Sequence, residues 1–189
     1  MARKAKINRV IIGLIQGDIF QQIADAIVVI TGTNLSVSDD LIALAGESVR
    51  LQVQRIGGCE VGSAVITDAG NFTGAAKIIH AVAPRWGEGS ERGKLANTTW
   101  ECLQLAEAHR LTSIVFPPIS AGVLGFPLES CANIMLNRII DFTFENLKYL
   151  HTVTICLEEE SPALEIFEAE FKRQIQLLNE TGEAQVRVG

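Results

Sequence analysis

Positive charge is what this sequence most lacks. Sixteen Lys and Arg stand against 22 Asp and Glu, a net charge of -6, which excludes any general electrostatic attraction to nucleic acid or to an anionic membrane. A phosphate bound by such a chain must be held by local N–H groups. The sequence also lacks a CxxC pair or any Cys/His ligand spacing. Cys59, Cys102, Cys131 and Cys156 are scattered, and the last three fall inside apolar patterns. That distribution predicts buried free thiols in a reducing compartment, and neither a metal nor a cofactor is expected. Long hydrophobic runs are missing as well. Four cations precede the apolar stretch Val10 to Ile15, but Gly13 breaks it and Gln16 to Asp18 end it, so it reads as neither a signal peptide nor a membrane span. An intracellular protein, cytoplasmic or nuclear, is the expectation. No internal repeat or low-complexity linker divides the 189 residues, 48% of which are hydrophobic, so one domain over residues 1–180 and a short tail over 181–189 are expected.

What is present is an alternation of strands and helices. Ile7 to Gln16 is β-branched and reads as one or two strands, followed by a short helical segment over Ile19 to Ala24. Asp25 to Thr31 reads as a buried strand. Ser38 with Asp39 and Asp40 is a helix start, and Gly57-Gly58 its stop. Val61 to Thr67 and Lys77 to Val82 are two further strands. Leu95, Thr98, Cys102, Leu105 and His109 share one helix face, as do Leu128, Cys131, Met135, Ile139 and Phe142. Tyr149 to Leu157 is a strand, and Ser161-Pro162 opens a last helix buried through Leu164, Phe167, Phe171 and Ile175. This order predicts an α/β protein of three α/β/α layers around a mixed central sheet.

The stretch that carries chemistry is Ser113 to Pro127, an apolar strand, then a loop with Ser120, Gly122 and Gly125, then a helix. Glycines at the carboxyl end of a strand leave N–H groups free and let a phosphate approach, close to a helix start that favours its charge. The alternative is an ordinary β-α turn that uses glycine for its backbone freedom, and the loop alone leaves both open. In such folds ligands sit beyond the carboxyl ends of the strands, where the loops at Asp18, Thr31 to Ser38 and Ser120 to Phe126 are expected to converge.

Five motifs in order, Gln16-Gly-Asp-Ile19, Asp25-Ala-Ile-Val28, Val61 to Thr67, Lys77 to Pro84 and Phe116 to Phe126, make residues 7 to 178 resemble a macro domain, the module that binds ADP-ribose and related nucleotides. The resemblance implies that Asp18 accepts a hydrogen bond from the adenine amino group with Ile19 beside the base. It implies that Ser120, Ala121, Gly122, Val123, Leu124 and Gly125 hold the diphosphate, and that Phe126 packs on the distal ribose. The chain departs from many macro domains between Val29 and Asp40. Val29 and Gly32 stand where asparagines are usual, the run of glycines is missing, and Ser38 falls near the place of an acid, with Asp39 and Asp40 one and two residues on. This segment is similar to that of macro domains attached to variant core histones.

The function so implied is binding of ADP-ribose or a related adenine diphosphate nucleotide, free or linked to a protein, without the usual hydrolase activity. The alternatives are an ADP-ribosyl hydrolase or ADP-ribose metabolite phosphatase, and a degenerate macro fold acting as an interaction module. Residue by residue, the competing structural roles are plain. Asp18 also suits a helix cap, Asp39 and Asp40 suit a helix N-terminus, Asn34 a turn, and Phe126 a core. His80, inside an apolar strand, reads as a hydrogen-bonded core histidine, and Arg85 and Trp86 read as surface.

Overall fold

The computed structural model describes residues 3–189. Its strands are β1 (Lys4–Ile7), β2 (Val10–Gln16), β3 (Ala26–Thr31), β4 (Ser63–Asp68), β5 (Lys77–Val82), β6 (Ser113–Phe116), β7 (Thr152–Leu157) and β8 (Val186–Val188). They form one sheet in the order β4-β5-β3-β6-β7-β2-β1-β8. The five inner strands from β5 to β2 run parallel, and β4, β1 and β8 are antiparallel additions at the two edges. The sequence patterns follow this placement. β5, inside the sheet with helices on both faces, is buried continuously from Ile78 to Val82, whereas β1 alternates exposed Lys4 and Lys6 with buried Ala5 and Ile7.

Five helices cover the sheet, α1 (Asp39–Ala45), α2 (Glu47–Ile56), α3 (Glu91–Ala108), α4 (Leu128–Phe142) and α5 (Ala163–Thr181). On one face α3, α4 and α5 bury Leu103, Met135, Phe167 and Phe171 against Ile12, Ile114 and Ile155. On the other, Leu41, Ala45 and Val49 of α1 and α2 close over Ile27, Ile78 and Val115. The α/β/α expectation is met by this mixed eight-stranded sheet and its five helices.

The differences from the sequence reading are local. Ile7 to Gln16, read as one or two strands, is two, and the first begins earlier, at Lys4, with Asn8 at φ 55° in the turn between them. The segment after Asp18 is a single 3-10 turn, Ile19–Gln21. The helix from Ser38 to Gly57 is broken at Gly46 (φ 88°), because the Asn71 N–H takes the Ala45 carbonyl at 2.8 Å. Gly70 makes that approach possible, since any Cβ there would collide with the same carbonyl. At the C-terminus, residues expected as tail include β8, which pairs antiparallel with β1.

Candidate functional site

At the carboxyl ends of β2 and β7 the chain ends are tied together and then diverge. The Gly17 N–H donates to the Leu157 carbonyl at 2.9 Å, and Gln16 Nε2 donates to the Glu158 carbonyl at 3.4 Å. A cleft of about 800 Å³ opens there, lined by Asp18, Ile19, Gln22, Cys156 and Glu158 over a floor of Pro117 and Pro118. Its size is that of a small-molecule site. A second cavity of about 360 Å³ shares Pro117, Pro118 and Glu158 with the first and continues to Ile30, Gly122 and Ser161. The two are parts of one groove across the ends of β2, β7, β6 and β3.

Asp18 is both a cap and part of the cleft lining. Its Oδ1 accepts from the Phe20 N–H at 2.9 Å, capping the 3-10 turn, and its side chain is exposed in the cleft. A carboxylate has acceptor capacity on both oxygens, so the cap leaves Oδ2 for a ligand. The turn is anchored by Phe20, whose ring meets Phe72 edge to face at 6.2 Å.

The loop after β6 directs its carbonyls away from the groove. The Leu124 carbonyl accepts from the Trp86 N–H at 2.8 Å and the Val123 carbonyl from Arg85 Nη1 at 3.1 Å. Ser120, buried and at φ 65°, donates its hydroxyl to the Pro84 carbonyl at 2.8 Å. Residues Gly122–Leu124 form a 3-10 turn closed by the Gly125 N–H on the Gly122 carbonyl at 2.9 Å. The leading N–H groups of such a turn have no acceptor within it, and free N–H groups of this kind are what an anion needs. Gly122 has φ 68° and nothing within 4 Å of a Cβ position, whereas a Cβ on Gly125 (φ 81°) would touch Trp86.

Ala121 and Gly122 therefore face the second cavity, Asp18 and Ile19 the first, and Val123, 88% exposed, forms the tip of the loop. Leu124 and Gly125 form its outer side against Trp86. Phe126 is only 4% exposed and packs edge to face against Trp86 at 5.0 Å, with the Arg92 guanidinium 5.5 Å from the Trp86 ring. At this corner the half-exposed aromatic is Trp86, and Phe126 lies beneath it.

The segment between Val29 and Asp40 is held by its own contacts. Leu35, at φ 58°, is buried beside Val53 and Val82. Asn34 Oδ1 accepts from the Ser36 N–H at 3.2 Å, the turn expected of it. Ser38 caps α1 through the Leu41 N–H at 3.2 Å, and Asp39 and Asp40 are exposed in the first turn. His80 is the buried core histidine anticipated. Its Nε2 is 2.9 Å from Thr67 Oγ1, and burial pushes its pKa down to about 4. Cys102, Cys131 and Cys156 are buried and all four thiols are free. Cys156 belongs to the cleft wall, where burial and then the Asp18 charge push its thiol up to about 11, so that the neutral thiol is favoured. Among the described residues no cluster of His, Cys, Asp and Glu is arranged to hold a metal ion, and no helix is long and apolar enough to cross a membrane. Glu158 and Ser161 also line the groove, a placement the sequence did not suggest. The one available signal was that Glu158 is the first residue beyond a parallel strand, where ligands collect.

With a glycine loop after β6 and a carboxylate after β2, one strand apart along the same edge of the sheet, this three-layer α/β/α protein belongs to the class whose ligand sites lie at the carboxyl ends of the strands. The chain is a member of the macro domain family, whose model matches residues 30–135. It is 37% identical over 167 residues to a macro domain-containing protein of Listeria monocytogenes, covering 79% of this chain and 92% of that one. It is 38% identical over 160 residues to O-acetyl-ADP-ribose deacetylase 1 of Pantoea vagans, covering 79% and 93%. Among solved structures, the Oceanobacillus iheyensis macrodomain with ADP superposes with a TM-score of 0.84 at 27% identity, over 94% of this chain and 98% of that one. A mutant of that macrodomain with ADPR gives 0.81 at 28%, over 93% and 100%.

Proposed function

We propose that this protein binds ADP-ribose along the groove and hydrolyses an acyl ester carried by that nucleotide. Adenine stands at Asp18, with Oδ2 accepting from the exocyclic amino group and Ile19 against the ring. The diphosphate lies on the N–H groups of Gly122, Val123 and Leu124, at the middle of the Ser120 to Gly125 loop. One observation carries the binding: the Asp18 cleft and the Gly122 cavity share Pro117, Pro118 and Glu158, so one extended ligand with a base at one end and phosphates beyond it spans both. The ADP and ADPR complexes of the Oceanobacillus iheyensis macrodomain support the same ligand class.

Hydrolysis draws its support from the relatives. Proteins named O-acetyl-ADP-ribose deacetylase share 36–38% identity with this chain over about four fifths of its length. This reading replaces binding alone as the better-supported one. Val29 and Gly32 offer no polar side chain, so the work of activating water falls to the acids left in the segment, Asp39 and Asp40, both exposed at the start of α1. Water adds to the acyl carbonyl, the acyl carbon–oxygen bond breaks, and the products are the carboxylic acid and ADP-ribose.

The test is release of acetate from O-acetyl-ADP-ribose by the parent, Asp39→Ala, Asp40→Ala and Glu180→Ala as a surface control. Turnover above the spontaneous rate, lost in one aspartate variant and kept in the control, is expected. Tight ADP-ribose binding with no turnover would reduce the function to recognition, and absence of binding would remove the nucleotide reading altogether.

A further inference from the structure

Three residues line both parts of the groove, and only one of them can hydrogen-bond through its side chain. Pro117 and Pro118 supply a rigid apolar floor without N–H donors. Glu158 is the third. Its carbonyl is held by Gln16 Nε2 at 3.4 Å, so its backbone is fixed beside the end of β2. Its carboxylate is exposed and, among the described residues, has neither a hydrogen-bond donor nor a cationic partner. In any adenosine diphosphate, the group between base and phosphates is a ribose with 2′- and 3′-hydroxyls.

We infer that Glu158 is a specificity residue that reads this ribose, accepting from its 2′-hydroxyl and excluding nucleotides phosphorylated at that position. The inference rests on the reading of the groove as a nucleotide site. The chemistry is that of any acid at the carboxyl end of a parallel strand beside a nucleotide ribose: a carboxylate rewards a hydroxyl donor and repels a phosphate dianion. Gln in its place keeps a hydrogen-bonding oxygen and removes the repulsion.

Calorimetric titration of the parent, Glu158→Gln and Glu160→Gln with ADP-ribose and with 2′-phospho-ADP-ribose tests it. Glu160 carries the same charge two residues on and lies outside the lining of both cavities. The parent is expected to prefer ADP-ribose by about tenfold or more, the range of a like-charge clash in a partly exposed groove. Glu158→Gln should bring the two ligands within about threefold of each other, while Glu160→Gln keeps the parental ratio. Equal binding of both ligands by the parent, or equal shifts in the two variants, would overturn the role of Glu158 and leave the nucleotide site standing. Binding of neither ligand by the parent would instead sink the site itself, and this inference with it.

Discussion

Asp18 caps a turn with one carboxylate oxygen and lines the cleft proposed to take the adenine. Its Oδ1 is engaged by the Phe20 N–H, so the two roles can be separated by substitution. Asp18→Asn keeps an oxygen for the cap but then turns an amide donor toward the donor of the adenine amino group. Calorimetry should show Asp18→Asn and Asp18→Ala both losing about 1–3 kcal/mol of ADP-ribose affinity. Only the alanine variant should also lose thermal stability, by about 1 kcal/mol, the cost of a missing cap. Parental affinity in Asp18→Asn would confine Asp18 to capping. In the loop after β6 the two glycines should behave differently. Gly122→Val adds a branched side chain at φ 68°, a strain of about 1–2 kcal/mol, in the open space of the second cavity. It should abolish binding while the protein stays folded by circular dichroism. Gly125→Ala directs its methyl at Trp86 and should retain most of the affinity.

Elements are joined here by a few buried or multiply bonded groups whose loss should be measurable. Edge strand β4 is tied to β5 through Thr67 and His80. Burial lowers the His80 pKa from the ordinary 6.5 to about 4, so the unfolded chain takes up the proton first as the pH falls. The stability from keeping His80 neutral is therefore complete above pH 6.5 and is lost as the pH falls toward 4. That amounts to on the order of 3 kcal/mol. Urea titrations between pH 7.5 and 4 should show this loss in the parent and a flatter profile in His80→Gln. A matching slope in both would deny His80 the effect. A second tie is Glu107 of α3, whose carboxylate accepts from the N–H groups of Lys148, Tyr149 and Leu150 at 2.6–3.2 Å. Three donors on one carboxylate hold the entry to β7. Glu107→Ala should cost about 1–3 kcal/mol by denaturant unfolding, with ADP-ribose affinity unchanged.

For the molecule as a whole, β8 completes the sheet. It covers the outer edge of β1, where Ala5 pairs with Val188 and Ile7 with Val186. Removal of residues 183–189 would expose that row of backbone N–H and carbonyl groups, a template for pairing with other chains. Light scattering should detect association of the shortened chain, with a lower melting temperature, while a protein that remains monodisperse and equally stable would make β8 dispensable.

Much of this was legible in the residues because it depends on neighbours in the chain. The bounds of β5, the Ser38 cap, the Gly57 stop and the glycine loop after β6 express hydrophobic period, capping and backbone freedom, all of which act over a few residues. The ordered motifs also pointed to the family. Other features depend on which distant segments meet, and no local pattern encodes that. Nothing near Val186 announces a partner at Ala5, and the break at Gly46 depends on Asn71 reaching Ala45. Trp86 lies across Phe126 only because the Pro84 to Trp86 segment is bonded to the loop after β6. The groove is the clearest instance. The sequence by itself determined that Asp18 follows one strand and Gly122 another. Only the tertiary structure, by setting β7 between β6 and β2, decided that Glu158 stands between them, because strand order is settled by burial of whole faces and not by the residues at the strand ends.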